Sequence, residues 1–208
     1  MGRNKTGLFL IILGCCCVFA AAALYVYNDR ISSRAAAEAA DLTALLEQTM
    51  TSDTEADTQE EDPALPEPQA DAQAETDAPD SVKVKNYDII GVLSIPAIDI
   101  RLPVISQWSY PNLRAAPCRY SGDPEGQLIL LAHNYARHFG HIKDLEAGDT
   151  VGFTAVDGTV YSYQVTETEI VDGEKGLGDI TAGSDWNLTL FTCTYGGASR
   201  VVVRCTKT

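Results

Sequence analysis

The chain has 208 residues and a formal net charge of −14, with 29 acidic against 15 basic side chains. That length allows one domain with appendages, and the lack of clustered Lys and Arg excludes a nucleic-acid footprint, so no nucleic-acid partner is expected. The acidity is local: residues 41–80 hold 13 acids and no Lys or Arg, whereas residues 81–208 hold 14 acids against 11 bases.

After a six-residue polar tail, Gly7 to Tyr27 runs 21 residues without a charge. That is long enough to cross a hydrocarbon core as a helix, with Tyr25 and Tyr27 at its outer end, where amphipathic rings favour the interface. A cleaved leader is the competing reading, because Ala20 to Ala23 offer small-residue cleavage sites. The stretch Ile12–Leu13–Gly14–Cys15 also loosely matches a lipoprotein cleavage box. Hydrophobicity continues through Leu24, Tyr25 and Val26, and Cys16–Cys17–Val18–Phe19 follows Cys15 in place of a polar tether. The reading adopted is an uncleaved transmembrane helix over 7–27.

Residues 28–50, rich in Ala, Leu and Glu, are expected to prolong that helix as a stem. Residues 51–80 combine one-sided charge with Pro63, Pro66, Pro68 and Pro79. Low hydrophobicity and self-repulsion predict a disordered acidic linker, a stalk holding a domain off the membrane.

From about Ser81 the pattern changes. Short β-type runs recur between Gly, Pro and Asp, at Ile89–Ile95, Ile98–Val104, Gln127–Ala132, Thr150–Phe153, Val160–Val171, Asn187–Cys193 and Arg200–Cys205. Such spacing predicts an all-β barrel or sandwich over 81–208, with Asn112–Ala116 and Phe139–Leu145 as less extended, helix-like segments. About 128 residues are enough to bury a core without staples.

Of the six cysteines, Cys15, Cys16 and Cys17 lie in the apolar run, and Cys118, Cys193 and Cys205 in the β-rich part. Three is odd, so at least one thiol there has no partner within the domain. A Cys118–Cys205 disulfide would leave Cys193 free; two small buried thiols are the simpler reading. All three histidines, His133, His138 and His141, fall in one segment whose spacing matches no common zinc signature, so no metal site is expected. His133 stands apart because it directly follows the apolar run Leu128–Ala132, at a strand end.

The last two runs flank Thr194–Ser199, which holds Gly196 and Gly197, and read as a hairpin. Cys193 and Arg200 would then face each other across it, with Cβ atoms about 5 Å apart. A thiol beside an obligate cation has its anion favoured, which is the chemistry of a nucleophile.

Leu131–Ala132–His133–Asn134, Leu145–Glu146–Ala147–Gly148–Asp149, and Thr189–Leu190–Phe191–Thr192–Cys193 with Arg200 together resemble the sortases, membrane-anchored cysteine transpeptidases of Gram-positive bacteria. Gly91–Val92–Leu93–Ser94–Ile95–Pro96–Ala97–Ile98 and Leu102–Pro103–Val104 look like the opening strands of that fold, so the resemblance covers about residues 88–206. It implies a sortase-like closed β-barrel of about eight strands with one or two short helices, preceded by the transmembrane helix and stalk. It also implies a single-pass membrane protein with residues 1–6 cytoplasmic and the catalytic domain extracellular.

Carried over by position, Cys193 would be the nucleophile, His133 the acid/base and Arg200 the oxyanion- or substrate-positioning residue. The implied substrates are surface proteins bearing an L-P-x-T-G-like signal, and the acceptor is an amine of a cell-wall precursor or a pilin lysine. The Val171–Asn187 connection, with four glycines, would be a mobile loop by the groove. No cofactor is expected. Some relatives use calcium through acidic loop residues, which here would be Glu167, Glu169, Asp172 and Glu174.

The chain departs from the family in Ala132, where a glycine is frequent, and in Cys118, where some subclasses carry a His-containing Gly–Ser pattern. The His–Asn pair is similar to class B, while the short segment before the cysteine strand is closer to classes D or A. Two other readings stand beside transpeptidation. One is a thiol endopeptidase using water as acceptor, and the other is a non-catalytic anchored β-domain that binds a wall component.

Overall fold

The structure is a computed structural model, and it describes residues 3–55, 81–173, 180 and 185–208. A single helix, α1, spans Arg3–Glu55. Its apolar part is exposed from Gly7 to Tyr27, and it is long and apolar enough to cross a membrane by length and composition. The helix extends to Glu55, past the point where the linker is expected to begin. Residues 56–80 of that expected linker lie outside the described residues.

Among the described residues nine strands follow: β1 (Val82–Val84), β2 (Tyr87–Ile95), β3 (Ile100–Ile105), β4 (Cys118–Ser121), β5 (Leu128–Leu131), β6 (Thr150–Ala155), β7 (Val160–Asp172), β8 (Leu188–Cys193) and β9 (Ser199–Lys207). They are ordered β1-β2-β3-β4-β5-β8-β9-β7-β6, and β6 returns to pair with β2. Strands β2 to β9 therefore close an eight-stranded barrel, as expected, with β1 an extra strand on its edge. Closure removes the free edges of the sheet. The close approach of β2 and β6 needs Gly91, where a Cβ would lie 2.3 Å from the Thr154 carbonyl oxygen and 2.6 Å from the Phe153 ring.

Two strands escape the sequence reading, β1 and β4. Each has three or four residues, too few for a period-2 pattern to stand out. The run expected as one strand over Ile98–Val104 is split instead. Pro96–Ile98 forms a 3-10 turn that ends on Asp99 in the left-handed region (φ 52°), and β3 starts only at Ile100.

The barrel core is apolar. Leu93, Ile95, Val104, Leu128, Leu130, Phe153, Tyr163, Leu188, Leu190 and Val203 are closed off from solvent within one cluster. Each such side chain contributes about 1.5–3 kcal/mol of burial. A 3-10 segment, Phe139–Asp144, adds Phe139 and Ile142 to the same core. A short helix, α2 (Tyr110–Ala115), sits between β3 and β4, capped by Ser109, whose hydroxyl accepts from the Asn112 N–H. Both elements fall where the non-extended segments are expected.

The stem half of α1 lies against the barrel. Ala35, Ala39, Leu42 and Leu46 are buried, a three-four spacing that puts them on one helix face. Leu42 and Leu46 form a second apolar cluster with Ile89, Val92, Ile105, Leu113 and Cys118. At its rim Lys85 pairs with Asp41, Arg101 pairs with Glu47, and the Tyr87 hydroxyl donates to Glu38 at 2.9 Å. These pairs are exposed and add little; the buried leucines hold the helix.

Candidate active site

Strand β5 runs parallel to β8 with Leu131 opposite Phe191. Two residues beyond the end of β5, His133 lines the same cavity as Cys193 at the end of β8. Two bonds hold the register at this end. The Ala132 N–H donates to the Phe191 carbonyl at 3.3 Å, and the buried Thr192 hydroxyl donates to the Ala132 carbonyl at 2.7 Å. Ala132 is itself buried in the barrel core.

Strand β9 returns antiparallel, with Cys193 opposite Arg200, the pairing the sequence implies. The next pair is bonded, Thr194 N–H donating to the Ser199 carbonyl at 2.9 Å. Cys193 and Arg200 thus occupy the non-hydrogen-bonded position, where opposing side chains come closest. The hairpin turns through Gly196 (φ 84°) and Gly197 (φ 75°). Positive φ at both makes glycine the residue of choice. Nη1 of Arg200 donates to the carbonyls of Gly197 at 2.8 Å and Ser199 at 3.0 Å, which lays the guanidinium along its own turn.

His133, Cys193 and Arg200 line one cavity of about 170 Å³. Its remaining wall is largely apolar: Trp108, Tyr110, Leu113, Tyr120, Leu131 and Phe191. Trp108 stacks on Tyr120 (6.3 Å, 28°), and Tyr120 meets Phe191 edge-on at 5.6 Å. The sequence reading misses this aromatic wall. Trp108 and Tyr110 lie at the start of α2, Tyr120 on β4 and Phe191 on β8, and only the sheet order β4-β5-β8 brings them together beside the thiol. A larger cavity of about 300 Å³ lies between α1 and β3 and contains none of the three residues.

Cys193 is exposed, whereas Cys118 and Cys205 are buried free thiols, each pushed up to about 12 chiefly by burial. Of the three thiols in the barrel, Cys193 is the exposed one. His133 is half-buried; desolvation holds its pKa below the ordinary histidine value, and the Arg114 guanidinium on α2 adds to this. A neutral imidazole, able to accept a proton, is thereby favoured. Arg114 is a second residue that sequence reading misses, because its influence on His133 exists only through the fold.

The other histidines diverge. His141 is exposed and meets Asp144 at 3.1 Å on the 3-10 segment. His138 is fully buried, with its pKa lowered to about 4 by desolvation. Among the described residues no group of three or more His, Cys, Asp or Glu is arranged to hold a metal ion. Of the acids named for calcium, Glu169 is bound by Arg204 at 3.1 Å, and Glu174 lies outside the described residues. Most of the Val171–Asn187 connection also lies outside them, although Ile180 is buried beside Phe191 and Val202.

Residues 93–208 match the protein-family description Sortase, sortase domain. Among solved structures, the chain is similar to sortase C1 of Streptococcus agalactiae at 28% identity and a TM-score of 0.54, over 61% of this chain and 70% of that one. It is similar to Clostridium perfringens sortase C, solved with the C-terminal cell wall sorting motif, at 26% identity and a TM-score of 0.52, over 58% of this chain and 71% of that one. Sortase A of Corynebacterium diphtheriae shares the fold at 24% identity and a TM-score of 0.53; 59% of this chain is covered, and the match spans 61% of that protein. No curated protein matches the chain.

Proposed function

The chain belongs to the sortase family, whose members are cysteine transpeptidases, and from that premise we propose that it cleaves an L-P-x-T-G-like sorting signal and transfers the acyl part to an amine. The observation that carries this reading is the convergence of Cys193, His133 and Arg200 on one cavity from three adjacent strands. In the proposed sequence, Cys193 Sγ attacks the carbonyl carbon of the signal's threonine as its proton passes to His133. The carbonyl oxygen becomes an oxyanion, and the guanidinium of Arg200, which keeps its proton, faces that charge. As the C–N bond breaks, His133 returns the proton to the departing amine, leaving a thioester. An incoming amine gives up a proton to His133, attacks the thioester and releases the thiol.

The apolar wall of Trp108, Tyr120 and Phe191 suits the aliphatic side of such a signal. Residues 7–27 serve as the membrane span, with 1–6 inside and the domain over 81–208 outside, where surface proteins and a cell-wall or pilin amine are reached. The test uses the full chain in detergent with a labelled signal peptide, with and without triglycine. Expected is an aminolysis product that disappears in Cys193→Ala and His133→Ala and drops severely in Arg200→Ala, with the folded state kept. Hydrolysis without any aminolysis makes the chain a thiol endopeptidase. No turnover, together with a Cys193 inert to a vinyl sulfone, returns the reading of a non-catalytic binding domain.

A further inference from the structure

The segment that follows β5 is bound tightly to itself and to helix α1. The Tyr135 carbonyl accepts from both the His138 and Gly140 N–H groups at 2.9 Å, and the His133 carbonyl accepts from the Phe139 N–H at 3.2 Å. At Gly140 the chain passes so close that a Cβ would lie 2.7 Å from the Tyr135 oxygen. Phe139, next in line, is fixed in the barrel core. On the other side, the Arg137 N–H donates to the Ser32 hydroxyl of α1 at 3.4 Å.

Three rings stand in a row within this segment. The Tyr135 ring lies 4.9 Å from the His133 ring and 5.5 Å from the His138 ring, tilted by 37° and 48°. His138 has no exposed surface, and neither of its ring nitrogens makes a hydrogen bond among the described residues. The Ala35 carbonyl of α1 is the polar group that approaches its ring, and Ala35 is itself buried. His138 thus stands as a flat ring between the Ala35 carbonyl of α1 and Tyr135.

We infer that Tyr135 and His138 are positioning residues for His133, and that helix α1, docked through Ser32 and Ala35, backs the column Ala35–His138–Tyr135–His133. This rests on the reading of His133 as the acid/base. An imidazole on a strand end is otherwise free to swing about χ1 and χ2, and a displacement of about 1 Å at a reacting group costs up to roughly a hundredfold in rate. The column restricts that freedom on the side that meets Tyr135. It also makes the stem of α1 part of the working catalytic domain.

The experiment measures kcat, KM and the pH–rate profile of the full chain in detergent for Tyr135→Ala, Tyr135→Phe, His138→Ala, His138→Phe and Ala35→Leu. His133→Ala runs in parallel, and folding is checked by thermal melting. Expected is a kcat loss of about tenfold or more in the two alanine variants and in Ala35→Leu, within the range that misplacement allows. KM for the signal peptide should hold, the His133 limb of the pH profile should shift, and both phenylalanine variants should restore the parent. Leucine at 135 or 138 replaces any alanine variant that fails to fold, since it fills the space without presenting a ring face. Parent-like kcat and pH profile in the folded variants, with His133→Ala inactive, overturn the positioning role alone. An active His133→Ala overturns the acid/base reading on which it stands.

Discussion

The Thr192 hydroxyl donates to the Ala132 carbonyl at 2.7 Å, tying the strand that ends in Cys193 to the segment that carries His133 out of β5. The bond is buried and joins residues 60 positions apart. It fixes the spacing of thiol and imidazole from one residue behind each. Thr192→Val keeps the shape and removes the donor, leaving the Ala132 carbonyl without it. The expected cost is about 1–3 kcal/mol, read as a lower urea midpoint at unchanged slope. A fall in kcat beyond that seen for a substitution of equal cost elsewhere in the barrel is expected with it.

Arg114 bears on the protonation of His133 without joining the chemistry. Its charge disfavours the imidazolium, so Arg114→Gln raises the His133 pKa. The group then stays protonated to higher pH, and the limb of the kcat/KM profile that belongs to His133 moves upward in pH. Arg114→Lys, which keeps the charge, should leave that limb near its original place. Proton NMR titration of the His133 ring checks the assignment.

His138 makes the fold acid-sensitive. Its folded pKa, about 4, lies below the ordinary 6.5, so the unfolded chain binds the proton more readily. The stability linked to this residue is whole above about pH 6.5 and is lost as pH falls towards 4. Between pH 7 and 5 that loss is roughly 2 kcal/mol. Urea unfolding at the two pH values should show it in the parent and a smaller drop in His138→Phe.

The three thiols of the barrel should separate by reactivity. Cys118 and Cys205 are buried and held protonated, with pKa values up to about 12, whereas Cys193 is exposed. Iodoacetamide at pH 8 on the folded full chain is expected to modify Cys193 and to reach the other two only after denaturation. Peptide mapping reads this directly. A Cys118–Cys205 cross-link in the unreduced protein would contradict the free thiols seen here.

Much of the barrel was legible from residues alone. Val160 to Val171 and the Leu188–Cys193 run are long enough, and rich enough in β-branched and aromatic residues, to declare themselves as strands. The hairpin that opposes Cys193 and Arg200 could be read because its turn glycines and strand lengths are local features. Strands β1 and β4 could not, since three or four residues carry no usable period. The aromatic wall was equally hidden, because Trp108, Tyr120 and Phe191 come from separate segments.

Local chemistry by itself determined the nucleophile candidate, its opposed cation, the strand-end histidine and a helix of membrane-spanning length, because each depends on neighbours close in sequence. The tertiary structure alone decided what surrounds them. It brought His133 and Cys193 to one cavity through the parallel pairing of β5 and β8, and put Arg114 within electrostatic reach of the imidazole. It also laid the stem of α1 on the barrel and buried His138 beneath it. A stem that reads as a plain extension of the membrane helix becomes a packed element once Leu42 and Leu46 find an apolar face. That face is assembled from β2, β3 and α2, residues more than forty positions away that no local pattern brings together.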